Sequence, residues 1–139
     1  MRLGQRQQEA ADRFRDRRER EDYAPRLRSQ IAKLATLSIE IDDRPGTTGL
    51  GATRYVRHVV VQRAPALFVI PCSDERCEDG GHDVTRQIMQ SLLAGDQEFV
   101  GDDVCFGWRG GHRCDRVLHF VGHATYSGER PQAKGNGRG

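Results

Sequence analysis

Cys72, Cys77, Cys105 and Cys114 are the residues of this chain best suited to chemistry. They form a Cys72-x4-Cys77 pair, a 27-residue spacer and a Cys105-x8-Cys114 pair. Two cysteine pairs brought together from separate loops are the expected donor set of a tetrahedral metal site. The neighbouring residues suit that use. Pro71 stops the chain before Cys72, Gly80 and Gly81 follow Cys77, and Gly107, Gly110 and Gly111 lie within the second pair. Such backbones can bend and aim amide hydrogens at sulfur. Arg76, Arg109 and Arg113 sit beside or between the ligands, where cations favour thiolates. The spacing therefore predicts one structural Zn2+ on the four thiolates. His82 and His112 are the alternate fourth ligands, and the alternatives to zinc are an Fe-S cluster, a redox dithiol and ordinary buried cysteines.

Catalytic uses of a metal find less support. Pro71-Cys72 with a second cysteine nearby resembles half of the nucleic-acid deaminase signature, but the required upstream His-x-Glu is missing, since only His58-Val59-Val60 precedes it. The chain contains no His-Glu-x-x-His and no phosphate-cradling glycine loop. Four thiolates leave no open position for water or substrate. His119 and His123 share a strand face but lie about 13 Å apart, too far for one ion, and read as solvent-facing or as part of a partner surface. Asp42-Asp43 and Asp102-Asp103 read as turn aspartates whose side chains point apart, without catalytic work. Trp108, the only tryptophan, lies between Cys105 and Cys114 and reads either as a cover over the metal loop or as an exposed anchor for a base or partner side chain.

These residues need elements to position them. Arg2 to Asp22 has good helix formers and opposite charges three or four apart, but its apolar residues are only Leu3, Ala10, Ala11 and Phe14. It reads as a solvated helix, half of a weak coiled coil or a disordered arm. Pro25 opens a helix with Ala24, Leu27, Ile31 and Leu34 as its seam, and Ile39 and Ile41 mark a short strand. Residues 42–52 read as a loop on their Asp, Pro and Gly content. Arg54 to Gln62 alternates as a strand that could pair with the apolar run Ala66 to Ile70 in a hairpin. Asp83 is a candidate N-cap for a helix carrying Val84, Ile88 and Leu92, with Gly95 ending it. Phe99 to Phe106 leads to the second cysteine pair, and Val117 to Tyr126 is a last strand with Leu118, Phe120 and Tyr126 on one face.

Composition bounds the whole. At 139 residues, with 36% hydrophobic and 30% charged residues, the chain has material for one modest core. The charge is unevenly spread. Residues 1–35 hold ten Lys/Arg and six Asp/Glu, 36–127 nine and thirteen, and 128–139 three and one, so the segments carry +4, −4 and +2. An anionic partner is therefore expected at the basic ends, through Arg13, Arg15, Arg17, Arg18 and Arg20, with Trp108 as the contact on the body. The charged N-terminus has no signal-peptide character and no run approaches about 20 apolar residues, so the expected location is cytoplasmic, with no membrane partner.

From Ala66 to Cys114 the arrangement is similar, in a generic sense, to zinc-ribbon and treble-clef modules, although neither pair has their two-residue spacing and no functional residues carry over. The expected fold is α+β: a small antiparallel sheet with one packed helix and a zinc-ribbon or treble-clef-like metal site, preceded by an N-terminal helical arm. The divisions are a basic arm over 1–23, a zinc-binding domain over 24–127 and a disordered Gly-rich tail over 128–139. The expected function is non-enzymatic: a zinc-stabilised binding module in an RNA- or DNA-containing assembly. The alternatives are a protein adaptor or homo-oligomer working through the N-terminal helices and, with least weight, a redox or metal-dependent enzyme.

Overall fold

The computed structural model describes residues 15, 19–46 and 51–128. Arg13, Arg17, Arg18 and the tail from 129 lie outside the described residues. Residues 19–23 are helical, and the elements that follow are α1 (Leu27–Gln30), β1 (Leu34–Pro45), β2 (Thr53–Val59), β3 (Val69–Pro71), β4 (Gly81–Asp83), α2 (Thr85–Leu93), β5 (Glu98–Val104), β6 (Trp108–Arg109), β7 (His112–Arg113) and β8 (Arg116–Tyr126). The chain is a mixed α and β protein built on an antiparallel sheet of strand order β2-β1-β8-β5, with two small hairpins, β3-β4 and β6-β7.

Alternation makes the sheet two-faced. Leu37, Ile39 and Ile41 on β1 and Leu118, Phe120 and Ala124 on β8 are buried together with Ile88 and Leu92 of α2. Helix α2 therefore covers one face of the sheet. Inward glycines make room for large rings: a Cβ on Gly122 would stand 2.2 Å from the Phe99 ring. Gly95, at φ 79°, turns the chain out of α2 and donates its amide to the Leu92 carbonyl at 3.1 Å, the left-handed helix exit expected of that residue. At the other end the N-cap is Val84, one residue later than the Asp83 expected, and Asp83 Oδ1 accepts the Thr85 amide at 3.1 Å from just outside the helix.

Four local expectations change. The seam through Leu34 does not make one long helix: α1 stops at Gln30, Ile31 leaves helical geometry at φ −127°, and Leu34 opens β1. The short strand around Ile39 is twelve residues long and includes the Asp-Asp-Arg-Pro stretch read as loop, because Asp43 faces inward to a buried partner and tertiary pairing outweighs turn propensity. The strand at Thr53–Val59 does not pair with the apolar run before Pro71. It pairs with β1, from Leu37 opposite Val59 to Asp43 opposite Thr53, while Val69–Pro71 pairs with β4. Between them, Arg63 and Ala64 donate to the Val60 carbonyl, and Leu27 donates to the Ala64 carbonyl while Ala66 donates to that of Pro25, which turns the chain towards α1.

Candidate metal centre

The first cysteine pair lies in the loop that joins β3 to β4, and the second pair flanks the β6-β7 hairpin. Cys72 follows β3 and Cys77 precedes β4, whereas Cys105 follows β5 and Cys114 lies between β7 and β8. The two loops are laced together through their backbones: Glu78 donates to the Trp108 carbonyl at 2.6 Å, Trp108 returns a bond to Glu78 at 3.0 Å, and Phe106 donates to Gly81 at 3.2 Å. As a result all four sulfurs lie within 4.8 Å of one another.

The spacing of these sulfurs tests what they can hold. Cys72 and Cys114 Sγ are 3.8 Å apart and Cys77 and Cys105 Sγ are 3.7 Å apart. A tetrahedron with metal-sulfur bonds of about 2.3 Å has edges of about 3.8 Å, so these two opposite edges already have the length a bound ion requires. Amides complete the cradle. Asp74 N donates to Cys72 Sγ at 3.5 Å and Gly107 N to Cys105 Sγ at 3.4 Å, each two residues beyond its cysteine. Cys105 and Cys114 are 1% and 2% exposed, while Cys72 and Cys77 are half-buried. Burial pushes the Cys72 thiol up to about 12 and the Cys77 thiol upward as well; in Cys105 the opposing amides of Gly107 and Gly81 and the neighbouring thiols outweigh burial and bring it down. Four sulfurs this close cannot all ionise unless a cation sits among them, and a coordinating thiol is deprotonated outright. The group can therefore hold a metal ion.

His82 is placed elsewhere. It is fully buried between two aspartates, with Nε2 3.6 Å from Asp43 Oδ1 and Nδ1 3.4 Å from Asp103 Oδ2, and it is not part of the four-sulfur group. His112 is exposed on β7. Sequence reasoning missed what lies behind the cage. Arg116, 6% exposed, donates from Nε to Asp43 Oδ1 at 3.2 Å and from Nη2 to the Asp43 and Gly51 carbonyls at 2.8 and 2.9 Å. Asp43 Oδ2 accepts the Ser73 amide at 3.0 Å, and the Arg116 carbonyl accepts the Cys105 amide at 2.9 Å. One buried ion pair thus anchors the residue after Cys72 and the backbone of Cys105. Burial alone would raise the Asp43 carboxyl, but His82 and Ser73 outweigh it and bring it to about 2. Only the inward phase of Asp43 on β1 signalled this role.

The surface over the cage is aromatic and charged. Trp108 is 48% exposed, and the Arg113 guanidinium lies 5.5 Å from its ring centroid across the β6-β7 hairpin. Phe106, also exposed, lies over Gly81. Arg109 bonds Asp74 at 2.5 Å and reaches Asp115 at 3.5 Å, so it braces the two loops. Of the arm arginines, Arg15 and Arg20 fall within the described residues and are helical, and Arg20 pairs with Asp83 at 3.2 Å. His119 and His123 point out from the open face of the sheet. His123 bridges Glu40 at 2.5 Å and Glu98 at 3.6 Å, and His119 stands between Asp42 and Asp102 in register. Among the described residues no helix is long and apolar enough to cross a membrane.

No protein-family model, no curated protein and no solved structure matches the chain.

Proposed function

We propose that this chain is a non-enzymatic binding module whose loops are clamped by a structural zinc ion on Cys72, Cys77, Cys105 and Cys114. The observation that carries this reading is the pair of sulfur edges at 3.7 and 3.8 Å within a group spanning 4.8 Å. That span suits one ion and leaves little room for a core of several irons with bridging sulfides. Borderline-soft zinc suits a four-thiolate set, and a saturated site braces the fold without activating water. The placement of each pair at a hairpin favours a zinc-ribbon-like assignment. Metal analysis of protein purified without added metal, with an optical spectrum, tests it: one colourless zinc per chain supports the reading, and a coloured iron centre or no metal refutes it.

The partner on this reading is nucleic acid in a larger assembly. The basic ends supply the phosphate contacts and the Trp108-Arg113 pair supplies a stacking platform for a base. Binding to a single-stranded oligonucleotide across a salt series tests it, because each neutralised phosphate gives a steeper salt slope. The open face of the sheet favours a second reading, a protein adaptor: Val56, Val100 and Val104 are 49%, 74% and 60% exposed there. Salt-insensitive association with a protein would favour that alternative.

A further inference from the structure

The four sulfurs are not equivalent. Cys105 and Cys114 are sealed from solvent, whereas Cys72 and Cys77 are half-buried. Cys72 is further protected by the Asp74 amide at 3.5 Å, which draws charge from its sulfur. The near polar neighbour of Cys77 Sγ is the Glu78 carbonyl oxygen, 3.9 Å away, which cannot withdraw charge. Cys77 is therefore the accessible sulfur that lies against a carbonyl oxygen, where Cys72 lies against an amide. Its nearest sulfur, at 3.7 Å, is Cys105 on the opposite loop.

We infer that the cage is an oxidant-responsive site at which a small peroxide attacks Cys77 first and Cys105 then closes a cross-loop disulfide, opening the clamp. This rests on the structural-zinc reading, which supplies four thiolates at neutral pH. The Cys77 thiolate attacks one peroxide oxygen, the O–O bond breaks, and hydroxide leaves as Cys77 becomes a sulfenic acid. The Cys105 thiolate then attacks the Cys77 sulfur and expels a second hydroxide. Two sulfurs have lost two electrons to the peroxide, and two protons from solvent convert both hydroxides to water. Cys72 and Cys114 alone remain as ligands, too few for a tetrahedral site.

The geometry favours this pairing over a disulfide within either loop. Cys77 and Cys105 approach across the paired glycines Gly80 and Gly107, where no side chain intervenes: a Cβ on Gly80 would stand 2.0 Å from Cys77 Sγ and 2.8 Å from Cys105 Sγ. Opening at this point releases the reciprocal Glu78-Trp108 bonds and hence the hairpin that carries Trp108. Oxidation would in this way reach the surface used for partners.

The test treats the zinc-loaded chain with stoichiometric hydrogen peroxide, follows released ion with a chromophoric chelator, then alkylates free thiols and maps disulfides by mass spectrometry. The expected result is a Cys77–Cys105 disulfide with Cys72 and Cys114 alkylated, appearing in step with the ion. Cys77→His retains four ligands and should release its ion about tenfold more slowly, while Cys72→His should keep the wild-type rate. A disulfide within one loop, methionine oxidation with the cysteines intact, or equal slowing in both variants would overturn the inference. Metal content measured before peroxide reports on the zinc reading alone. The disulfide map of the zinc-loaded chain reports on the pairing, and the release rates of Cys77→His and Cys72→His report on which sulfur is attacked first.

Discussion

Gly80 and Gly107 face one another across the cage so closely that a Cβ on Gly107 would stand 2.4 Å from the Gly80 Cα and 2.6 Å from Cys77 Sγ. The two loops meet backbone to backbone, and the sulfurs gather because nothing separates the chains that carry them. Gly80→Ala and Gly107→Ala should each lower metal affinity by about tenfold or more, since the loops must part to admit a methyl group. Gly110→Ala is the control: its added Cβ meets nothing within 4 Å, and at φ 57° it should cost about 1 kcal/mol of stability with metal affinity unchanged. Competition against a chromophoric chelator and thermal melts separate the two effects.

Removing the metal should loosen the cysteine loops before the sheet. The buried apolar cluster of β1, β8 and α2 does not include the cysteines, so the chelated protein should keep much of its strand signal while the Trp108 environment changes. Far-ultraviolet circular dichroism and tryptophan fluorescence, recorded as the metal is titrated out, check the order of loss. Simultaneous collapse of both signals would show that the core depends wholly on the clamp.

The Asp43-Arg116 pair predicts a large single-site effect. Arg116→Met leaves the Asp43 carboxylate buried without its guanidinium partner, for a loss of about 3–5 kcal/mol. Asp43→Asn with Arg116→Met should recover part of that loss, because neither residue then leaves a lone charge inside. Denaturant melts of the zinc-loaded single and double variants give the coupling. Additive losses would mean that the pair does not act as a unit.

Proton release should accompany metal loading. Burial holds the Cys72 and Cys77 thiols above their ordinary range, so both are protonated at neutral pH in the metal-free chain and must give up those protons to become ligands. A raised thiol favours the metal-free state at low pH, and its penalty shrinks as pH rises. Affinity should therefore climb with pH across the neutral range, with at least two protons released per ion. Calorimetry in buffers of different ionisation enthalpy measures the count.

On the proposed role, nucleic-acid binding should depend on stacking as well as charge. Trp108→Ala should weaken single-strand binding by about 1–3 kcal/mol with little change in salt slope, whereas Arg20→Ala should flatten the slope. Fluorescence anisotropy at several salt concentrations distinguishes the two. An unchanged affinity in Trp108→Ala would leave the hairpin without a part in the contact.

The cysteine set, α2 with its Gly95 exit and the inward face of β8 were legible because each has a local cause: ligand spacing, helix termination and strict alternation. The reach of β1 was not, because Asp42-Asp43-Arg44-Pro45 carries turn residues and only the partner Arg116, far along the chain, makes Asp43 tolerable inside. Strand pairing failed for a related reason. Proximity in sequence favoured β2 with β3, while the longer register available on β1 decided the outcome. His82 was read through its nearness to Cys77, whereas its ring is held between strands β1 and β5.

The centre of the sheet pairs its earliest strand with its last, Leu34 opposite Tyr126 and Pro45 opposite Arg116. A ribosome must therefore release the whole segment between them before the central ladder can form. Until then β1 can pair only with β2, and its other edge stays open to neighbouring nascent chains. An ion captured by the four cysteines would shorten the span still to be closed, which is a reason to expect that metal supply during synthesis governs the yield of folded protein.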